Sequence, residues 1–367
     1  MTTPALSHRE RVRLALAHRE TDRVPIAMVC AGINPPAHDD LTAYLRRTRG
    51  ITVEQYLDPL IDIAAVGPRY VGPPLAPGVD IWGVRRAPVS YGRGAYDEIV
   101  HYPLAGVTEI AQLDDHRWPS ADWFDYADLP VRIAALNVRE PYCIMESHGG
   151  NLFETAWYMR GFERMFEDML LRPELFHAIL QRVTDFYVEH CRRALQAARG
   201  AIDLVFTADD IGGQKGLLMS LRLWEQLLQP YHRRLNAVIH EHGAQVIYHT
   251  DGAVMPAVPG LIAMGVDVLQ ALQFDAAGMD PVALKTHYGD RLCFEGGVSV
   301  QRTLPFGTPV EVRTEVLDRI RVLGAAGGYI LGPSHAIQAG TPPENIVALF
   351  DTAAGSAPSG ATVMRGG

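Results

Sequence analysis

Short, nearly unbroken apolar runs recur along the chain, each closed by glycine, proline or polar residues. They fall at 24–29 (VPIAMV), 61–67 (IDIAAVG), 142–148 (YCIMESH), 203–210 (DLVFTADD), 245–251 (QVIYHTD), 267–273 (VDVLQAL), 292–297 (LCFEGG) and 328–334 (GYILGPS). Continuous rather than alternating hydrophobicity suits strands of a parallel sheet, which are covered on both faces. The segments between them have helical spacing. Ser7 followed by Glu10 forms a capping box ahead of Val12, Ala15 and Leu16. Pro173 to Arg199 carries Leu175, Ile179, Phe186 and Leu195 and stops at Gly200. Leu221 to His242 runs from Ser220 to Gly243, with Pro230 predicted to kink it.

Eight strands alternating with helices admit a closed barrel or an open doubly wound sheet. No GxGxxG or GxxxxGK[ST] loop follows an early run, which favours the barrel. The expected fold is α/β, a (β/α)8 TIM barrel with an N-terminal helix and an inserted hairpin or loop after the second run, where Val71 to Gly106 is rich in Pro, Gly and Tyr. One domain is expected over 1–351, with a flexible tail over 352–367.

Charge narrows the partners. With 33 Lys+Arg against 42 Asp+Glu, the net charge of -9 repels nucleic acid and anionic lipid, leaving a small-molecule substrate as the expected partner. The four cysteines, Cys30, Cys143, Cys191 and Cys293, form no CxxC pair, so neither a disulfide framework nor a thiolate zinc cluster is signalled. The opening segment lacks the apolar core of a signal peptide, and no stretch approaches the ~18 apolar residues needed to span a bilayer. A cytoplasmic location is expected.

In a barrel the C-terminal ends of the strands converge on one cavity. The polar residues there are Cys30, Asn34, Glu146, His148, Asp209, Asp210, His249, Asp251, Gln273, Asp275, Glu295, Ser334, His335 and Gln338. His249 and Asp251, two apart in a strand, share a face. With Glu295 and His335 they supply the nitrogen and oxygen donors that zinc accepts; hydrogen bonding in a polar barrel mouth is the other reading of the same four. Asp209 suits a cap on the following turn, which leaves Asp210 as the functional candidate. Asn34, Glu146, His148 and Gln273 are candidate substrate-binding residues. His177, His190, His232 and His240 fall on helices and are expected to pack or face solvent.

The C-terminal run GGYILGPSHAIQAGTPPENIVALFD closely resembles the end of the uroporphyrinogen decarboxylase superfamily, as do RERVRLALAHRETDRVPI, DDIGGQKGLLMS and GMDPVALKTHYGDRLCFEGGVSVQRTLPFGTP elsewhere. The resemblance implies the TIM barrel and places His335 at the family's active-site histidine. True decarboxylases carry an RQAGRY loop and a Phe-Ser-Asp segment, where this chain reads CAGINPPAHDD and Val66-Gly67-Pro68-Arg69. The chain is more similar to the methyltransferase branch, whose thiol-activating members bind zinc through a His-x-Cys pair and a later Cys. Here His249 is present, Asp251 replaces the first Cys, and Ser334-His335 occupies the region of the second.

That resemblance implies a zinc-dependent methyltransferase or demethylase. It would move a methyl group between a small methoxy- or methylamine-type substrate and a corrinoid or thiol acceptor, the corrinoid carried by a partner protein. Asp210, His249 and His335 are its expected catalytic residues, with His335 or Asp210 handling the proton. Relatives of this kind are monomers or homodimers. Two other functions fit the same residues: a carbon–carbon lyase acting on a small acid, and a non-catalytic tetrapyrrole or corrinoid carrier.

Overall fold

The computed structural model describes residues 5–30, 32–90, 92 and 94–356. Seven of the eight apolar runs form one parallel sheet: β1 (Ile63–Val66), β2 (Cys143–Asn151), β3 (Leu204–Ala208), β4 (Gln245–His249), β5 (Val268–Ala271), β6 (Cys293–Val298) and β7 (Tyr329–Pro333), adjacent in chain order. The expected first strand, 24–29, is reduced to a single bridge between Ile26 and Leu331. Pro25 has no N–H to give, and the Ile26 N–H is taken by the Asp62 carboxylate at 2.7 Å. Ala27 donates to Leu331 and Asp62 donates to Ile26, so this segment touches both edges of the sheet and the whole is TIM-barrel-like.

The expected N-terminal helix, His8–Leu16, is present with the Ser7–Glu10 capping box. Its Val12, Ala15 and Leu16 join Ile63, Cys143, Met145, Leu204, Ile247, Val268, Cys293 and Ile330 in one buried cluster, which places the helix as a plug beneath the barrel. Arg11 to Asp62 at 2.6 Å and Arg9 to Asp203 at 3.0 Å tie it to the strand heads. The long helix runs Pro173–Ala198 and ends at Arg199 in the left-handed region, followed by Gly200. At Pro230 the expected kink is a full break: Leu221–Leu227 and Gln229–Glu241 are separate helices, because proline is tolerated in a first turn and not in an interior.

The insert after β1 contains an antiparallel hairpin, Arg85–Ser90 with Ala95–His101. Tyr96 donates to Gln338 at 2.8 Å and the Arg86 guanidinium lies 5.0 Å from the Tyr158 ring centre, so the hairpin reaches both sides of the mouth. The last helix, Pro343–Ala354, passes the boundary expected at Asp351; the expected tail from residue 357 lies outside the described residues. Among the described residues, no helix is long and apolar enough to cross a membrane.

Candidate functional site

Strand alternation builds the site. Ile247, Val268 and Cys293 line the barrel interior, so the residues two further along, His249, Gln270 and Glu295, point the same way one layer higher. The three are neighbours in register across β4, β5 and β6. His249 Nδ1 is hydrogen-bonded to Gln270 Oε1. An amide oxygen can only accept, so Nδ1 carries the hydrogen and the Nε2 lone pair is free. Nε2 faces Asp210 Oδ1 at 3.7 Å and Asp251 Oδ1 at 3.8 Å. The loop holding these carboxylates is fixed by Asp251 N–H donating to Asp210 at 2.8 Å and Gly252 N–H donating to Gln273 at 3.0 Å.

His335 arrives from the loop after β7, its ring centre 5.5 Å from that of His249 and its Nε2 3.9 Å from Asp251. Its tautomer is the opposite one. The Ala336 N–H donates to His335 Nδ1 at 2.7 Å, which leaves the hydrogen of the neutral ring on Nε2, beside Cys30 Sγ at 3.6 Å. That hydrogen would have to leave before Nε2 could hold a metal. Burial lowers the pKa of His335 and keeps it neutral, against the pull of Asp251.

Among the described residues, two sets have donor atoms within 4.8 Å of one another: Asp210, His249 and Asp251, and Cys30, His249 and His335. The first fits a divalent cation better. Its histidine offers a lone pair, and Asp251 Oδ1 is buried without a hydrogen-bond partner. Burial and the neighbouring Asp210 raise Asp251, a penalty that a cation relieves. In the second set, burial and the surrounding carboxylates push the Cys30 thiol up to about 12, holding it protonated.

Several expected site residues are placed elsewhere. Glu295 is fully buried in the same layer as His249, one strand beyond Gln270, and belongs to neither set. Asp209 does not cap the following turn. It accepts from the Phe153 and Glu154 N–H groups at 2.8 Å each, capping helix Leu152–Arg160, and from His232 Nε2 at 2.5 Å. Gln273 is buried, and its side-chain oxygen accepts the Gly252 N–H and holds that loop. Asn34 donates to Gln338 at 2.7 Å and lies on the rim with Tyr96. Glu146 and His148 contact neither donor set: the β2–β3 register shifts between Glu146 and Gly150, and they gather with Gly67 at the end of β1.

Glu154 was not expected. It accepts from Asn151 and from Tyr158, each at 2.9 Å, and burial with Asp210 and Asp209 nearby raises it to about 8. The Asn151–Glu154 spacing, that of a helix start, was its one trace in the sequence. A cavity of about 800 Å³ lined by helices Val53–Leu57 and Leu129–Leu136 includes none of the candidate metal donors.

Residues 149–355 match the family model for uroporphyrinogen decarboxylase (URO-D). A uroporphyrinogen decarboxylase of Coxiella burnetii is 24% identical over 93% of both chains. A methylated-thiol–coenzyme M methyltransferase of Methanosarcina mazei is 30% identical over 53% of this chain and 48% of its own. Among solved structures, a methyltransferase from Methanosarcina mazei superposes with a TM-score of 0.65 at 18% identity, covering 95% of this chain and 98% of that one, which shows a shared fold. With the family model matching more than half of its length, the chain belongs to the uroporphyrinogen decarboxylase family.

Proposed function

We propose that the protein is a metal-dependent methyltransferase or demethylase, taking a methyl group from a small methoxy- or methylamine-type substrate to a corrinoid or thiol acceptor. The observation that carries this reading is the opposed tautomers of His249 and His335, which equip one ring as a ligand and the other as a proton carrier. Asp210, His249 and Asp251 would hold the metal, zinc being suited to one imidazole and two carboxylates. A bound divalent metal supplies Lewis acidity toward the substrate heteroatom.

The chain's own groups supply the rest. Gln270 holds His249 in one tautomer, and His335, neutral at pH 7, carries a proton on Nε2 at the mouth. Asn34, Gln338 and Tyr96 form a polar rim that orients what enters, and Phe206, its ring centre 6.0 Å from that of His249, is an apolar wall beside it. A corrinoid protein is the proposed macromolecular partner and the cytoplasm the proposed location.

The decarboxylase relative matched over nearly its whole length favours a second reading, a carbon–carbon lyase acting on a small acid. The acidic mouth argues against a substrate with many carboxylates. Metal analysis of the protein and of His249→Ala, together with assays for methyl transfer and for carbon dioxide release, separates the two. Bound metal lost in the variant along with methyl transfer supports the first reading; full activity in metal-free protein refutes it.

A further inference from the structure

A second cluster with proton chemistry lies on the same rim, over the end of β1. Glu146 is fully buried, and its Oε1 has no hydrogen-bond partner. That oxygen is directed at His148 Nδ1, 3.6 Å away, while Glu146 Oε2 accepts the His148 backbone N–H at 3.0 Å. Ser147 Oγ is also 3.1 Å from Nδ1. The His148 side chain is 61% exposed and lines a cavity of about 360 Å³ with Ala65, Gly67, Arg69, Asp128 and Arg132.

Gly67 makes the arrangement possible. A Cβ at that position would stand 2.4 Å from His148 Nδ1 and 3.5 Å from Glu146 Oε1, so any side chain there drives the imidazole off its carboxylate. A buried carboxylate that bonds no cation other than a half-exposed imidazole adds little to stability. It does orient the ring, directing Nδ1 inward and leaving Nε2 for whatever occupies the cavity.

We propose that Glu146 and His148 form a carboxylate–imidazole dyad that exchanges a proton at Nε2 with the oxygen or nitrogen of a substrate bound over Gly67. The cavity includes none of Asp210, His249 and Asp251, so that atom is a different one from the heteroatom the metal would polarise in the demethylation reading; the proton passes to it from Nε2. The ring is left neutral and regains its proton from solvent through its exposed edge. The adjacent Glu146 carboxylate raises the pKa of His148 against partial desolvation, so the ring holds its proton further toward neutral pH. The other charges around it are Arg132, which opposes the shift, Arg69 and Asp128 on the cavity wall, and His190 from the long helix.

Imidazole NMR titration of the intact protein tests the dyad without any assay of turnover. His148 should titrate above the ordinary imidazole midpoint, and the midpoint should fall by about one pH unit in Glu146→Gln. Gly67→Ala should lower it similarly while both partners remain. Should Glu146→Gln fail to fold, Gly67→Ala alone decides the point. With substrate, His148→Gln should reduce turnover about 100-fold with bound metal unchanged. An ordinary midpoint in the wild-type protein, or full turnover in His148→Gln, overturns the dyad. Protein that binds no metal and transfers no methyl group but keeps the shifted titration refutes the proposed function and supports the dyad.

Discussion

His249 on β4 and Gln270 on β5 are register partners whose side chains bond directly, and that bond decides which nitrogen of His249 faces the mouth. Replacing Gln270 with Leu frees the ring to turn. Loss of such a supporting partner typically costs 10–100-fold in metal affinity. Gln270→Leu is expected to fold, to keep its circular dichroism spectrum, and to bind zinc about 10–100-fold more weakly by competitive chelator titration. Unchanged affinity would mean that the ring is held by something else.

The metal shell is expected to contain no sulfur. Cobalt exchanged into the site should show no thiolate-to-metal charge-transfer band, and Cys30→Ser should leave its visible spectrum unaltered, because the Cys30 thiol is kept protonated beside His335. A strong near-ultraviolet band that disappears in Cys30→Ser would move the metal to the other donor set.

Glu295 gives stability a pH dependence. Burial raises its pKa well above the ordinary carboxyl value, so the folded chain binds a proton that the unfolded chain releases. Its contribution is therefore greatest below the unfolded pKa of about 4.3 and is lost as pH rises toward the folded value. The difference in Tm between Glu295→Gln and the wild-type protein should move in favour of the variant between pH 5 and pH 8, measured by differential scanning fluorimetry. A difference that stays constant over that range would show that Glu295 ionises freely in the fold.

Asp209 is expected to matter for folding and not for metal binding. Asp209→Ala removes two bonds to the start of helix Leu152–Arg160 and strands His232, at a cost of about 2–4 kcal/mol. Urea denaturation should show that loss while zinc stoichiometry is retained. Loss of zinc from a folded variant would place Asp209 in the site.

Local patterning made much of the barrel legible. Seven apolar runs became strands where their hydrophobicity placed them, the Ser7 capping box set the first helix, and the Pro- and Gly-rich insert contained a hairpin. Alternation within a strand also placed His249 inside. The run 24–29 shows where such reading stops: its composition is that of a strand, yet Asp62, far along the chain, takes the N–H that a ladder would need.

What the sequence determined by itself was therefore the order of elements, the family, and the meeting of His249, Asp251, Asp210 and His335 at one end of the sheet, since periodicity and motif are carried by neighbouring residues. Only the tertiary structure decided proximity and direction. It left Glu295 outside both donor sets, two strands from His249, turned Asp209 toward a helix from another part of the chain, and gave His249 and His335 opposite tautomers through Gln270 and Ala336. Those outcomes depend on strand register and on hydrogen bonds between distant or backbone groups, which no local pattern of residue types encodes.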